Sequence, residues 1–282
     1  MKRNIILVIL LLILSAVVYV TVENNRIAIR EYTYASDEVP ASFNGYRICA
    51  ITDFHNGDNY EAVYNKAKKA KPDIICLVGD IVDMYTSDFT NTKELAKRLV
   101  GICDVYYSYG NHEMWSSTAN PELMPKVETE LKSIGVKFLN DRVKTIEKDG
   151  SLINIIGYGD EIYNDFDGNF QKHSNRTMQA LYNTLDKTVL SVALFHRAQY
   201  FDVLSDIGYD VVISGHLHGG HAGIKYIREY ILESHFATSE YIKGEYKKNN
   251  SVMYVSGGLA NHNGIPRLFN TPEIVVLELE SK

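Results

Sequence analysis

The residues able to do chemistry in this chain fall into five short clusters. Asp53-x-His55 places two ligand-type side chains two residues apart, on one side of an extended segment. Gly79-Asp80-x-x-Asp83 and Gly110-Asn111-His112-Glu113 add carboxylates, an amide and an imidazole. His196 stands alone, and Gly215-His216-Leu217-His218 supplies a second closely spaced pair, followed by Gly219 and Gly220. Glycines packed beside two imidazoles suit backbone that runs close to a metal or a phosphate. Each cluster alone has an ordinary explanation: a turn for Gly110–Glu113, a satisfied core histidine for His196. Their joint occurrence points to a site for divalent cations. The donors are nitrogen and oxygen without thiolate, which suits Mn, Fe or Zn without choosing among them.

The elements before the clusters explain how they could meet. Tyr46–Thr52, Ile74–Val78, Asp104–Tyr109, Val189–Phe195 and Asp210–Ser214 are apolar runs that read as buried strands. Each ends just where a cluster begins. In open α/β sheets, ligands bind outside the carboxyl ends of the strands. A carboxylate at the end of a fully buried strand is costly unless compensated. Two divalent cations would compensate Asp80, which is read as the carboxylate between them.

The rest of the chain alternates between strand and helix. A first strand is expected over Arg26–Tyr34, and helices near Tyr60–Lys71, Thr92–Gly101, Pro121–Ile134, Arg176–Leu185 and Ala198–Ile207. Asn120 is a candidate cap and Gly135 a stop for the third of these. Val143–Glu147 and Leu152–Tyr158 read as a hairpin, and Val252–Ser256 and Glu273–Leu279 as late strands. The early βα units predict a parallel sheet, and the later hairpins a second sheet packed on it, with helices on both outer faces. The expected class is α/β: a four-layer α/β/β/α sandwich of two mixed sheets, with an N-terminal transmembrane helix. No linker divides the folded part, so residues 1–23 are expected to be an anchor and 24–282 one domain.

At 282 residues, 45% hydrophobic and 23% charged, the composition is that of an ordinary globular protein. A net charge of -6 argues against a nucleic-acid partner, which needs a basic face. It leaves phosphate substrates open, because bound cations supply local positive charge. Cys49, Cys76 and Cys103 have no ligand spacing and read as small buried hydrophobes. Ile5–Val22 carries no charge and, as a helix, is just long enough to cross the hydrocarbon core. Leu14-Ser15-Ala16 is a poor cleavage site, so an uncleaved anchor is expected rather than a removed signal. Lys2 and Arg3 favour an inside N-terminus, with the rest of the chain extracytoplasmic and the protein single-pass in the cell membrane.

In order and spacing, the five clusters resemble the signature of the calcineurin-like metallophosphoesterases. The tail, Tyr254-Val-Ser-Gly-Gly-Leu and then Ile265-Pro-Arg-Leu-Phe-Asn-Thr-Pro-Glu273, is similar to the membrane-associated bacterial branch of the YkuE type. The resemblance implies two divalent metal ions. Asp53, His55, Asp80 and His218 would hold the first, and Asp80, Asn111, His196 and His216 the second. His112 would stand beside them as a catalytic group, oriented by Asp83. The implied activity is hydrolysis of a phosphodiester or pyrophosphate, with a lipid head group or envelope component as substrate. The alternatives are a phosphomonoesterase of the same fold or an inactive surface-anchored binding protein. The complete ligand set speaks against the latter.

The chain departs from that pattern in places. Glu113 stands where Asp is frequent and keeps the charge, so little effect is expected. Arg197-Ala198 replaces a frequent Asn-Pro. Arg197 could hold a second phosphate or face solvent, with solvent the expectation. His221 replaces a Gln and could touch substrate or metal. His173, His235 and His262 have no motif context. Ala222–Tyr246 lacks periodicity and could be a lid or an ordinary covering loop, and Trp115 is expected near the same cleft.

Overall fold

The computed structural model describes residues 2–160, 170–224, 226, 239–261 and 266–282, with the backbone alone over 170–175. Two six-stranded sheets form its centre. The first runs in the order β1 (Ala28–Ser36), β12 (Glu273–Ser281), β2 (Tyr46–Ile51), β3 (Ile74–Val78), β4 (Asp104–Ser108) and β5 (Lys137–Phe138). The second runs β10 (Gly244–Lys248), β11 (Ser251–Val255), β9 (Val211–Gly215), β8 (Ser191–Arg197), β7 (Ser151–Gly157) and β6 (Arg142–Lys148).

The apolar runs are continuous because the central strands are buried on both faces. In β2, Ile48 and Ala50 point into the space between the sheets, while Cys49 and Ile51 point at the helices. β3 repeats this with Ile74, Cys76 and Val78 inward and Ile75 and Leu77 outward. In β8, Val192 and Leu194 face the first sheet, and Ala193 and Phe195 face α7 (Phe201–Ile207). The outer face of the first sheet is covered by α2 (Tyr60–Ala70), α3 (Thr90–Leu99) and α5 (Leu123–Ile134). The second is covered by α6 (Phe170–Asn183) and α7. The result is the expected four-layer sandwich.

Its topology differs from expectation in two ways. The second sheet is not mainly hairpins: β7, β8, β9 and β11 are mutually parallel, and only its edge strands β6 and β10 pair antiparallel. The final strand β12 also returns to the first sheet, where it lies parallel to β1 and antiparallel to β2. The cluster Gly110–Glu113, which alone would pass for a turn, opens the helix α4 (Asn111–Ala119). Asn120 closes that helix rather than capping the next, and its side-chain oxygen accepts from the Glu122 amide (3.3 Å). α5 does stop at Gly135, which adopts φ +112.

Ahead of the sandwich, α1 (Lys2–Asn25) runs for 24 residues with none of its side chains buried. Only Tyr19, Val20, Glu23 and Asn24, at its last turns, are half-buried. Of the segment 222–246, read above as a lid or covering loop, residues 225 and 227–238 lie outside the described residues. So do His235 and His262, and the side chain of His173.

Candidate metal centre

Five strands from two sheets deliver the candidate residues to one edge. Asp53 and His55 follow β2, Asp80 follows β3, and Asn111 and His112 open α4 just after β4. His196 lies within β8, where the register with β9 shifts between Leu194 and Arg197. His216 and His218 follow β9. The loops are tied to one another by backbone bonds. Asp53 N–H donates to Gly79 O (3.1 Å), His55 N–H to Asp80 O (3.0 Å), and Gly79 N–H to Ser108 O (2.9 Å). The second sheet joins through the His216 amide, which donates to Asp53 Oδ1 (3.1 Å).

The backbone here is strained. Asp53, His55, Asp80, His216, His218 and His221 all adopt positive φ, between 47° and 78°. Non-glycine residues rarely adopt this conformation, and such outliers cluster at functional sites. The strands also approach too closely for side chains at the glycines ahead of two of the clusters. A Cβ at Gly79 would lie 2.4 Å from the His196 ring, and one at Gly110 would lie 2.3 Å from Asp80 Oδ1. The glycines preceding Asp80 and Asn111 are therefore steric requirements of the site.

Three groups of side chains bring possible ligand atoms within 4.8 Å of one another: Asp53 with His55 and His218, Asp80 with His196 and His216, and His55 with Asp83 and His112. Asp80 lies between them. Its Oδ2 is 3.0 Å from His196 Nε2, 3.9 Å from His55 Nε2 and 3.9 Å from His112 Nε2. Asp53 Oδ1 is 3.5 Å from His218 Nε2 and 3.8 Å from His196 Nε2. Both carboxylates are buried. Burial pushes Asp53 up to about 6, with the Asp80 charge adding to it and His196 opposing. For Asp80, burial acts upward too, but His196, His112 and His55 outweigh it and hold the carboxylate well below its usual range. Burial pushes His55 down to about 3 and, with Arg197 and His196, holds His216 well below the usual imidazole value. Burial also opposes a charge on His196, but Asp80, Asp53 and Asp160 overcome it and push the ring up to about 10.

These residues fit divalent cations. The ring of His196 spends Nδ1 on the Val78 carbonyl (2.8 Å), leaving Nε2 aimed at the carboxylates. His218 Nδ1 lies 3.1 Å from the Ala260 carbonyl, which likewise turns Nε2 inward. Second bonds of this kind fix the tautomer of a ligating histidine. His55 Nε2 and Asn111 Oδ1 are buried and have no hydrogen-bond partner among the described residues. Buried polar atoms are seldom left so, and a cation is a sufficient partner for both. Two buried carboxylates, four imidazoles, of which burial holds His55 and His216 neutral, and one amide oxygen make a hard-to-intermediate donor set.

His112 sits at the margin of the three groups. Its amide donates to Asp80 Oδ1 (2.8 Å). Its Nδ1 is 3.3 Å from Asp83 Oδ1 and 3.2 Å from the Met84 amide. Protonated at Nδ1, the ring can donate to Asp83; without that proton it accepts from Met84. Burial would lower its pKa, but Asp80, Asp83 and Glu113 outweigh burial and raise it.

Arg197 does not face solvent as expected. Its Nε donates to both oxygens of Asp160 (2.8 and 3.1 Å), and Nη1 lies 3.3 Å from His216 Nε2. Asp160 is itself buried. His221 is buried with its ring stacked on His218, centroids 5.7 Å apart.

Two residues given no role by sequence reasoning hold the site together. Glu113 is fully buried and accepts from the amides of Asp80 (2.9 Å), Ile81 (2.7 Å), Val82 (3.1 Å) and Gly110 (2.7 Å) and from the Tyr107 hydroxyl (2.6 Å). Its place directly after His112 was the available signal. Arg267 is also fully buried and donates to the carbonyls of Gly257 (2.6 Å), Ala260 (2.6 Å) and His218 (3.4 Å). Nothing local distinguishes it from a surface arginine.

Comparison with known proteins agrees with this geometry. The family model for the calcineurin-like phosphoesterases matches residues 46–220, more than half the chain. The chain is 26% identical over 277 residues to the uncharacterized metallophosphoesterase Cj0846 of Campylobacter jejuni, covering 96% of this chain and 69% of that protein. It is 24% identical over 271 residues to the uncharacterized metallophosphoesterase YkuE of Bacillus subtilis, covering 92% and 87%. It is 26% identical over 213 residues to the phosphodiesterase YaeI of Escherichia coli, covering 74% and 71%. The stretch matched by the family model holds all five clusters, and the chain belongs to the calcineurin-like phosphoesterases, a family of metal-dependent hydrolases.

Proposed function

We propose that this protein is a membrane-anchored phosphodiesterase or pyrophosphohydrolase that works with two divalent metal ions at the outer face of the membrane. The observation that carries the reading is the position of Asp80, between the Asp53–His55–His218 group and the His196–His216 pair. Asp53, His55, Asp80 and His218 would hold one ion, and Asp80, Asn111, His196 and His216 would hold the other. Mn, Fe and Zn all suit these donors. When bound, such an ion pair lowers the pKa of water and neutralises phosphate charge.

The chain's own residues do the remainder. Two aspartates offset only part of the charge of two divalent ions, so the site attracts an anionic phosphoester. Neutral His55 and His216 keep that excess. His112, raised in pKa by the surrounding carboxylates, holds a proton at the edge of the site and passes it to the departing ester oxygen. Asp83 orients that ring. Arg197, fixed by Asp160 beside His216, offers its remaining donors to the phosphoester. Residues 1–23 form the anchor and 24–282 the catalytic domain, with a lipid head group or envelope component as the source of substrate. The uncharged run Ile5–Val22 within the unburied α1 supports the anchor.

The test compares bis-(p-nitrophenyl) phosphate with p-nitrophenyl phosphate, using full-length protein and added Mn²⁺. Faster release of nitrophenol from the diester is expected. Preference for the monoester would make the protein a phosphomonoesterase, and no turnover with Mn, Fe or Zn would overturn the reading.

A further inference from the structure

Outside α1, the large hydrophobic side chains that stand exposed among the described residues are Tyr85, Leu152, Ile224, Tyr226 and Phe269. Three of them lie on two segments joined to each other. Ala222 bridges to Leu268, and the Gly223 amide donates to the Leu268 carbonyl (2.8 Å). The fit is close: a Cβ at Gly223 would lie 1.9 Å from the Phe269 carbonyl oxygen. Phe269 is 57% exposed and adopts φ +53, unusual for a bulky side chain. Its amide donates to the Tyr19 hydroxyl (2.9 Å), and its ring packs on Tyr19 with centroids 5.2 Å apart. An aromatic ring is thus held outward, in a strained conformation, against the end of the apolar helix.

The last turn of that helix is built into the same segment. Asn24 Oδ1 accepts from the Arg267 amide (2.7 Å), and its Nδ2 donates to the Arg267 carbonyl (3.0 Å). The Thr271 hydroxyl donates to Glu23 (2.7 Å). Counted from Lys2 at ~1.5 Å per residue, Tyr19 lies ~25 Å along the helix. The hydrocarbon core is ~30 Å thick. With Lys2 and Arg3 at one boundary of the core, Tyr19 and Phe269 lie within ~5 Å of the other, beside the layer where aromatic belts form. The segment also reaches the metal centre. Arg267 and Asn270 (2.7 Å) both donate to the His218 carbonyl, and the Leu268 amide donates to the His221 carbonyl (3.0 Å).

We infer that Ile224, Tyr226 and Phe269 form a bilayer-contact surface continuous with α1, and that the adjoining metal centre takes its phosphoester from an amphiphile held in that headgroup layer. The contact surface rests on the anchor reading proposed above and on its continuity with the helix. The substrate class rests on the hydrolase reading proposed above.

Full-length protein in phosphatidylcholine vesicles tests both halves. Phe269→Trp and, as a second reporter, Ile224→Trp are made in a Trp115→Phe background, with Leu152→Trp as the exposed control. Lipid brominated on its acyl chains should quench the two reporters and leave the control unchanged. Reporters no more quenched than the control would overturn the contact surface. In the same vesicles with Mn²⁺, hexadecyl p-nitrophenyl phosphate is compared with its methyl analogue. Apolar chain length drives partition into lipid, so kcat/KM at equal bulk concentration should favour the hexadecyl ester by ~10-fold or more. That ratio should fall in Phe269→Glu and in Ile224→Glu. Equal kcat/KM for the two esters, or a ratio that neither variant lowers, would overturn the amphiphile substrate. Turnover of neither ester would overturn the hydrolase reading instead, and quenching would then decide the contact surface alone.

Discussion

Glu113→Gln is the change whose cost can be worked most directly from the geometry. The carboxylate divides its bonds between its oxygens: Oε1 accepts from Ile81, Val82 and Tyr107, and Oε2 from Asp80 and Gly110. Glutamine is close to the same size but has one oxygen. Placed in the Oε1 position, that oxygen keeps three bonds, and the new NH₂ group faces two backbone N–H donors. Both amides are then unsatisfied in a fully buried place, at ~1–3 kcal/mol each, or ~2–6 kcal/mol together. For a domain of this size each kcal/mol shifts Tm by ~2–4 °C. The loss falls on Asp80 and Gly110, so metal affinity should fall with stability. The assay is thermal unfolding of full-length protein in detergent, with metal content measured after equilibrium dialysis against Mn²⁺. A Tm within ~2 °C of wild type together with full metal content would refute the role given to Glu113.

Other expectations follow from the same site. Asp80→Ala should lose metal more completely than any other single ligand change, because Asp80 is the one residue assigned to both ions; near-normal metal content would show that Asp80 is not the bridge. His112→Ala should keep its metal and lose ~10²–10⁴-fold in kcat on esters of poor leaving groups, with a smaller loss on nitrophenyl esters. A series of diesters of rising leaving-group pKa checks this: metal loss would make His112 a ligand, and a constant deficit would make it a charge stabiliser. Protease applied to intact cells should digest the domain while α1 stays with the membrane; protection of the domain would contradict the outward orientation.

The candidate residues were legible because each follows a mainly apolar run, and such a run marks both a buried strand and the place where it ends. The four-layer arrangement was legible for the same reason: strands without alternation need cover on both faces. The topology was not. The apolar pattern of β12 suits the edge or the interior of either sheet, and its insertion between β1 and β2 depends on pairing across more than two hundred residues. The start of α4 was hidden because Gly110 has no capping side chain, and Glu113 does the work from inside the first turn. Arg197 was misjudged because its partner Asp160 is remote in sequence. Arg267 was legible only as part of the tail that carries the resemblance, and its role was hidden, since its partners are carbonyls that only the folded chain gathers.

The central claim is a dinuclear centre that activates the phosphoester, and stoichiometry tests it most directly. Metal-stripped full-length protein is titrated with Mn²⁺ while turnover of bis-(p-nitrophenyl) phosphate is followed. The account predicts negligible activity without metal and a rise that levels off at two ions per chain. A plateau at one ion per chain, or activity that survives complete removal of metal, would contradict it.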